Sequence, residues 1–169
     1  GSAIDDMAHV AEHTSYVAGL IQKSGSETAG GDPSPWTAEG VFASIVQAAQ
    51  FALKADLAGL TIGVQGTGKV GGELCRRLAD AGAKLVIADE APGRRDRLGA
   101  ILKARIVAAE KLVAQPMDIF VPCALGGVLH EESVHILQAK IVCGAANNQL
   151  AHGGIADLMH EKAILYVPD

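Results

Sequence analysis

Six consecutive residues, Gly66-Thr67-Gly68-Lys69-Val70-Gly71, combine small size with a spacing suited to holding an anion. In a string of this form the first glycine permits a tight turn. The second lets backbone approach a pyrophosphate, and the third lets a helix lie close on a strand. An apolar run, Leu60 to Gln65, precedes the string, and a helical pattern from Lys69 to Ala81 follows it. Unpaired N–H groups and the positive end of that helix would therefore face phosphate oxygens. Asp89 closes the next apolar run, 23 residues beyond Gly66, where a carboxylate accepts hydrogen bonds from ribose hydroxyls.

A glycine string alone also describes a flexible turn, so the strand before it, the helix after it and Asp89 together carry the reading of a dinucleotide site. A carboxylate at position 89 repels a 2′-phosphate, which favours NAD over NADP. Arg94 and Arg95 either bind such a phosphate or lie on a solvated helix face, the second being the commoner arrangement. Lys69 either touches the pyrophosphate or is an exposed lysine near the helix cap.

These residues require a scaffold that brings strand ends together. Apolar spacing predicts one helix or two short ones from Asp5 to about Gln22, a breaker-rich loop over Ser24 to Pro35, and an Ala-rich helix from Trp36 to Leu53 with Thr37 and Glu39 in its first turn. Short apolar strands then alternate with helix-length segments. The strands are Leu60 to Gln65, Lys84 to Asp89, Arg105 to Val107, Asp118 to Pro122, Lys140 to Gly144 and Ala163 to Val167. Helices are expected over Pro92 to Leu102, Glu131 to Gln138 and Ile155 to Glu161. Continuous apolar runs suit strands buried on both faces, and strict β/α alternation predicts an α/β fold, a Rossmann-type doubly wound parallel sheet with N-terminal helices packed on it. Residues 1–58 read as a helical segment leading into a domain over 59–169.

With 169 residues the chain accommodates one domain of ordinary size. A formal net charge of −5 argues against a nucleic-acid partner. No apolar run reaches the roughly 18 residues of a membrane span, so no membrane partner is expected. Cys75, Cys123 and Cys143 are odd in number and lack metal-ligand spacing, which suits a reducing, cytoplasmic setting. His9/His13 and His130/His135 lack the carboxylate pattern of a metal site, so no metal is expected.

Several stretches together resemble the leucine/phenylalanine/valine dehydrogenase family, itself related to glutamate dehydrogenases. They are Asp6-Met7, Pro33-Ser-Pro-Trp-Thr-Ala-Glu-Gly-Val41, Val64-Gln-Gly-Thr-Gly-Lys-Val-Gly71, Pro122-Cys-Ala-Leu-Gly-Gly127 and Gly144-Ala-Ala-Asn-Asn-Gln-Leu150. The last two are more specific than the glycine loop, and their order and intervals match the family over nearly the whole chain. Lys69 is a departure, because the family more usually has Asn there.

The resemblance implies reversible oxidative deamination of an apolar L-amino acid, such as leucine or valine, to its 2-oxo acid and ammonia, with NAD as hydride acceptor. It implies that Thr37 bonds the nicotinamide carboxamide, although a hydroxyl near a helix start also serves as a structural cap. Cys123, Ala124 and Leu125 resemble the segment along the adenosine and ribose. Asn147 and Asn148 resemble the pair beside the nicotinamide ribose and the amino-acid substrate, and a turn-forming asparagine pair is the structural alternative. The family's catalytic lysines match nothing in this sequence, so no catalytic residue is assigned. A catalytic substrate domain is expected outside this chain, with a homo-oligomer in the complete enzyme. A stand-alone NAD(H)-binding regulatory or redox-sensing module is the alternative reading.

Overall fold

The computed structural model describes residues 4–21 and 30–168. Six strands, β1 (Thr61–Gln65), β2 (Lys84–Ala88), β3 (Arg105–Ile106), β4 (Ile119–Pro122), β5 (Ile141–Cys143) and β6 (Leu165–Val167), form one sheet in the order β3-β2-β1-β4-β5-β6. All five pairings are parallel. The strand order reverses between β1 and β4, which opens a crevice at their carboxyl ends.

Among the described residues six α-helices accompany the sheet: α1 (Ile4–Ala11), α2 (Ser34–Ala48), α3 (Lys69–Asp80), α4 (Pro92–Leu102), α5 (Glu131–Ile136) and α6 (Gly154–Glu161). Successive strand side chains point to opposite faces, and the core divides accordingly. Ile62, Val64, Leu85, Ile87, Ile119, Val121 and Ile141 meet Ile45, Leu74, Leu78 and Leu98 from α2, α3 and α4. On the other face Val86, Phe120 and Val142 meet Leu112, Val134, Ile155 and Met159. The result is a three-layer α/β/α fold, a doubly wound Rossmann-type sheet. Gly63 leaves room on this second face, since a Cβ there would lie 2.4 Å from the Met117 sulfur.

The N-terminal region differs most from expectation. α1 stops at Ala11 instead of running toward residue 22, and none of its side chains is buried. The Thr14 hydroxyl accepts the Tyr16 N–H at 3.1 Å, a local bond that competes with helix continuation. Gln22 and the part of the breaker-rich stretch over 24–29 lie outside the described residues.

α2 begins at Ser34, so Ser34 and Pro35 belong to the helix and not to the loop. Asp32 initiates it, accepting both the Ser34 N–H (3.0 Å) and the Ser34 hydroxyl (2.6 Å). Pro35 suits the first turn, where no N–H is needed. Glu39 consequently lies beyond the first turn, which contains no acidic residue, and reaches Arg77 of α3 at 3.4 Å. Residues Ala49–Leu53 continue α2 with a wider π-helical winding that ends at Lys54, a residue with φ of 52°. β3 and β6 form the sheet edges, and β6 is only half-buried, despite its apolar sequence.

Candidate dinucleotide site

β1 delivers the chain to the crevice at Gln65, and Gly66 turns it there with φ of +94°. A side chain at Gly66 would be strained by that conformation and would also lie 2.8 Å from the Cys123 carbonyl oxygen. α3 starts three residues later. Gly71 in its first turn packs so closely that a Cβ would fall 2.0 Å from the Gly66 carbonyl oxygen. Gly68 is different: nothing lies within 4 Å of where its Cβ would be. The fold itself does not demand glycine at 68, so the open space above it is available to a ligand.

Asp89 follows β2 and locks the loop in place. Its Oδ2 accepts the Thr67 N–H at 2.6 Å and the Thr67 hydroxyl at 2.9 Å, while Oδ1 accepts the Ala91 N–H at 2.7 Å. Burial alone would raise this carboxyl's pKa, but those hydrogen bonds and the nearby Arg94 outweigh it and hold the group below the ordinary carboxylate range. Asp89 is thus ionised and directly bonded to the glycine loop.

Around this loop lies a cavity of about 450 Å³, lined by Gly66, Gly68, Asp89, Cys123 and Ala124 among others. Its far wall is the exposed turn Ala124–Gly127 after β4. The same turn borders a second hollow that includes Asn147 and Asn148 from the loop after β5. The two loops are stitched together, since the Gly127 N–H donates to the Asn148 carbonyl at 2.8 Å and the Leu129 N–H to that of Gln149 at 3.1 Å. Gln149 is fully buried beneath the asparagine pair and donates from Nε2 to the Gly144 carbonyl at 3.2 Å. Asn148 takes a left-handed conformation, φ 51°.

The remaining positions singled out in the sequence are more scattered. Lys69 is paired with Asp32 at 2.7 Å, and this bond, with help from Ser34, lowers the Asp32 carboxyl to about 2. Val70 is half-buried against the core on the α3 side. Thr37 is exposed on α2, donates its hydroxyl to the Pro33 carbonyl at 3.2 Å, and lines neither hollow. Cys123 borders the cavity, but burial pushes its thiol up to about 11, which leaves it poorly nucleophilic.

Gln65, Ala88, Glu90, Ala109 and Val128 also line the cavity and were not anticipated. Gln65 lines it with a buried Oε1 that has no hydrogen-bond partner among the described residues. Its place at the carboxyl end of β1, one residue before the glycine string, was the available signal. Ala109 comes from a short 3₁₀ turn, Ala109–Lys111, for which the sequence offered no periodic signal.

Comparison with known proteins then addresses ancestry. The family model of Glutamate/Leucine/Phenylalanine/Valine dehydrogenase matches residues 94–169. Over its full length the chain is 39% identical to the leucine dehydrogenase of Bacillus subtilis, spanning 46% of that protein. It belongs to the glutamate/leucine/phenylalanine/valine dehydrogenase family. This dehydrogenase-family chain is also 36% identical, over 98% of its length, to the L-tryptophan dehydrogenase of Nostoc punctiforme, of which it spans 46%. The crystal structure of L-tryptophan dehydrogenase from Nostoc punctiforme superposes with a TM-score of 0.79, covering 81% of this chain and 42% of that one at 37% identity. The family chain therefore spans about half the length of the curated relatives it matches.

Proposed function

We propose that this chain is the NAD-binding part of an amino-acid dehydrogenase that reversibly deaminates an apolar L-amino acid, such as leucine or valine, to its 2-oxo acid and ammonia. The observation that carries the reading is the cradle at the β1–α3 turn. Gly66 and Gly71 are required by the fold, whereas Gly68 fronts open space beside the start of α3. That arrangement fits the diphosphate of a dinucleotide, and the orphaned Gln65 acceptor supports a polar ligand in the same cavity.

In this reading the amides of the glycine loop hold the diphosphate, Asp89 faces the adenosine ribose, and Cys123 and Ala124 flank it. Asn147 contacts the nicotinamide ribose and Asn148 the amino-acid substrate. NAD, when bound, supplies the hydride acceptor, and the protein's part is to hold its reactive carbon against the substrate. Thr37 reaches the nicotinamide only if its hydroxyl leaves the Pro33 carbonyl, and Lys69 reaches a phosphate only by leaving Asp32. No proton-transfer residue is assigned within the 169 residues, because the lysines that the family likeness calls for match no position here. The complete enzyme is read as a cytoplasmic homo-oligomer, in keeping with three unpaired cysteines.

Titration of the chain with NADH, followed by nucleotide fluorescence, tests the reading. Saturable binding that Gly68→Val weakens by about tenfold or more supports it. Binding unaffected by that substitution contradicts it. The same chain is expected to give no leucine-dependent reduction of NAD.

A further inference from the structure

Among the described residues three polar side chains are buried, Thr67, Ser133 and Gln149, and two of them have plain local duties. Thr67 bonds Asp89, and Ser133 exchanges hydrogen bonds with the His130 backbone at the start of α5. Gln149 is fully enclosed. Its Oε1 has no hydrogen-bond partner among the described residues, and its Nε2 donates to the Gly144 carbonyl five residues back. Enclosing an amide with its oxygen unmatched costs more stability than an apolar side chain of similar volume would, so packing alone does not account for this residue.

The bond from Gln149 spans the base of the loop that carries the asparagine pair, and both ends of that loop are anchored. At Gly144 the chain passes so close to β4 that a Cβ would fall 2.1 Å from the Pro122 carbonyl oxygen, which also accepts the Ala145 and Ala146 N–H groups at 2.9 and 3.0 Å. At the other end the Gln149 carbonyl accepts the Leu129 N–H at 3.1 Å, and the Ala151 N–H donates to the Leu129 carbonyl at 2.8 Å. Between these anchors Asn147 and Asn148 form an exposed turn, pressed on Gly126 so that a Cβ there would lie 2.4 Å from the Asn147 carbonyl oxygen. The Gln149 amide ties the last anchored residue to the first. It thereby sets the span over which the turn closes, and with it the direction of the two asparagine side chains.

We propose that Gln149 is a positioning residue for the nicotinamide half of the crevice, holding Asn147 and Asn148 where they meet the nicotinamide ribose and the substrate. The proposal rests on the reading of that pair as ligand contacts. Because the diphosphate and the adenosine lie at the β1–α3 turn, Gln149 bears on one half of the dinucleotide and not on the other.

Calorimetric titration of the parent chain and of Gln149→Met with NADH and with ADP separates positioning from a general effect on the fold. ADP keeps the adenosine and the diphosphate but lacks the nicotinamide ribose, and methionine keeps the side-chain volume while removing the amide. The expected result is an ADP affinity within about twofold of the parent's and an NADH affinity lower by about fivefold or more. Equal losses for both nucleotides, or no loss for either, overturn the proposal. Gln149→Glu gives a second reading should the methionine variant fail to fold. A protonated carboxyl at this buried place donates to the Gly144 carbonyl as the amide does, and an ionised one is repelled by it. Its NADH affinity is expected to match the parent's at about pH 6 and to fall below it at about pH 9, with ADP affinity following the parent's at both. A ratio to the parent that does not change with pH overturns the proposal, as does failure of both variants to fold. If the parent binds ADP as tightly as NADH, the asparagine reading falls and this inference with it; if the parent binds neither, the dinucleotide reading itself falls.

Discussion

Gly71 and Gly68 answer to different neighbours, and substitution separates them. A methyl group at 71 collides with the Gly66 carbonyl, so Gly71→Ala is expected to destabilise the fold by about 1–3 kcal/mol, read from the shift of the urea midpoint. Gly68→Ala meets no protein atom, and the same denaturation curve is expected to move by no more than the roughly 0.5 kcal/mol of an ordinary surface change. Equal costs at the two positions would contradict the distinction between a packing glycine and a ligand-facing one. The glycine spacing and Asp89 were legible in the sequence because phosphate cradles need fixed intervals. What Asp89 bonds to was not legible, since its partners Thr67 and Ala91 are set by the approach of β1 and β2 and not by any local pattern.

Among the elements, the central strands were readable from their apolar runs, and α4 from its proline start, with both ends falling where periodicity put them. α1 was overextended because apolar spacing continues past Ala11, while none of the helix's side chains is buried by packing. The early start of α2 goes with Asp32, whose carboxylate accepts the Ser34 N–H from just ahead of the helix, a contact hidden in a stretch of breaker residues. That aspartate also ties α2 to α3 through Lys69. Its carboxyl is lowered to about 2, so the contribution of the tie is present above the ordinary carboxylate range and is lost as pH falls from about 4 toward 2. Asp32→Asn is therefore expected to remove part of the acid sensitivity of unfolding between those values, measured by circular dichroism against pH. An unchanged acid limb would show that the pair contributes nothing. The same substitution releases Lys69, and NADH affinity is expected to hold or rise.

For the molecule as a whole, two cores separated by one sheet make stability depend on side chains such as Phe120, which is fully buried on the face opposite α3. Phe120→Ala is expected to cost about 3–5 kcal/mol in chemical denaturation, and a cost near zero would contradict the packing described. The three thiols act at the alkaline end. Burial pushes Cys75 and Cys143 up to about 12 and Cys123 to about 11, so the neutral thiols favour the fold at ordinary pH and that preference is lost as pH rises above about 9. The alkaline decline in midpoint is expected to be shallower in Cys75→Ala, against a baseline lowered by the cavity it leaves; an identical slope would count against thiol ionisation as its cause.

The relation between the two site loops was beyond the reach of sequence, because the turn after β4 and the asparagine loop after β5 are joined by parallel strand pairing and backbone bonds between residues distant in sequence. The turn Ala124–Gly127 borders both hollows, the one with Asp89 and the one with Asn148. The central claim is that a dinucleotide diphosphate rests on the amides that follow β1. A two-dimensional amide NMR titration of the isotope-labelled chain with NADH measures this residue by residue. The largest shifts are expected at Gly66 to Gly72, with smaller ones at Cys123 to Gly127; saturable binding that leaves the Gly66–Gly72 amides unmoved would contradict the account.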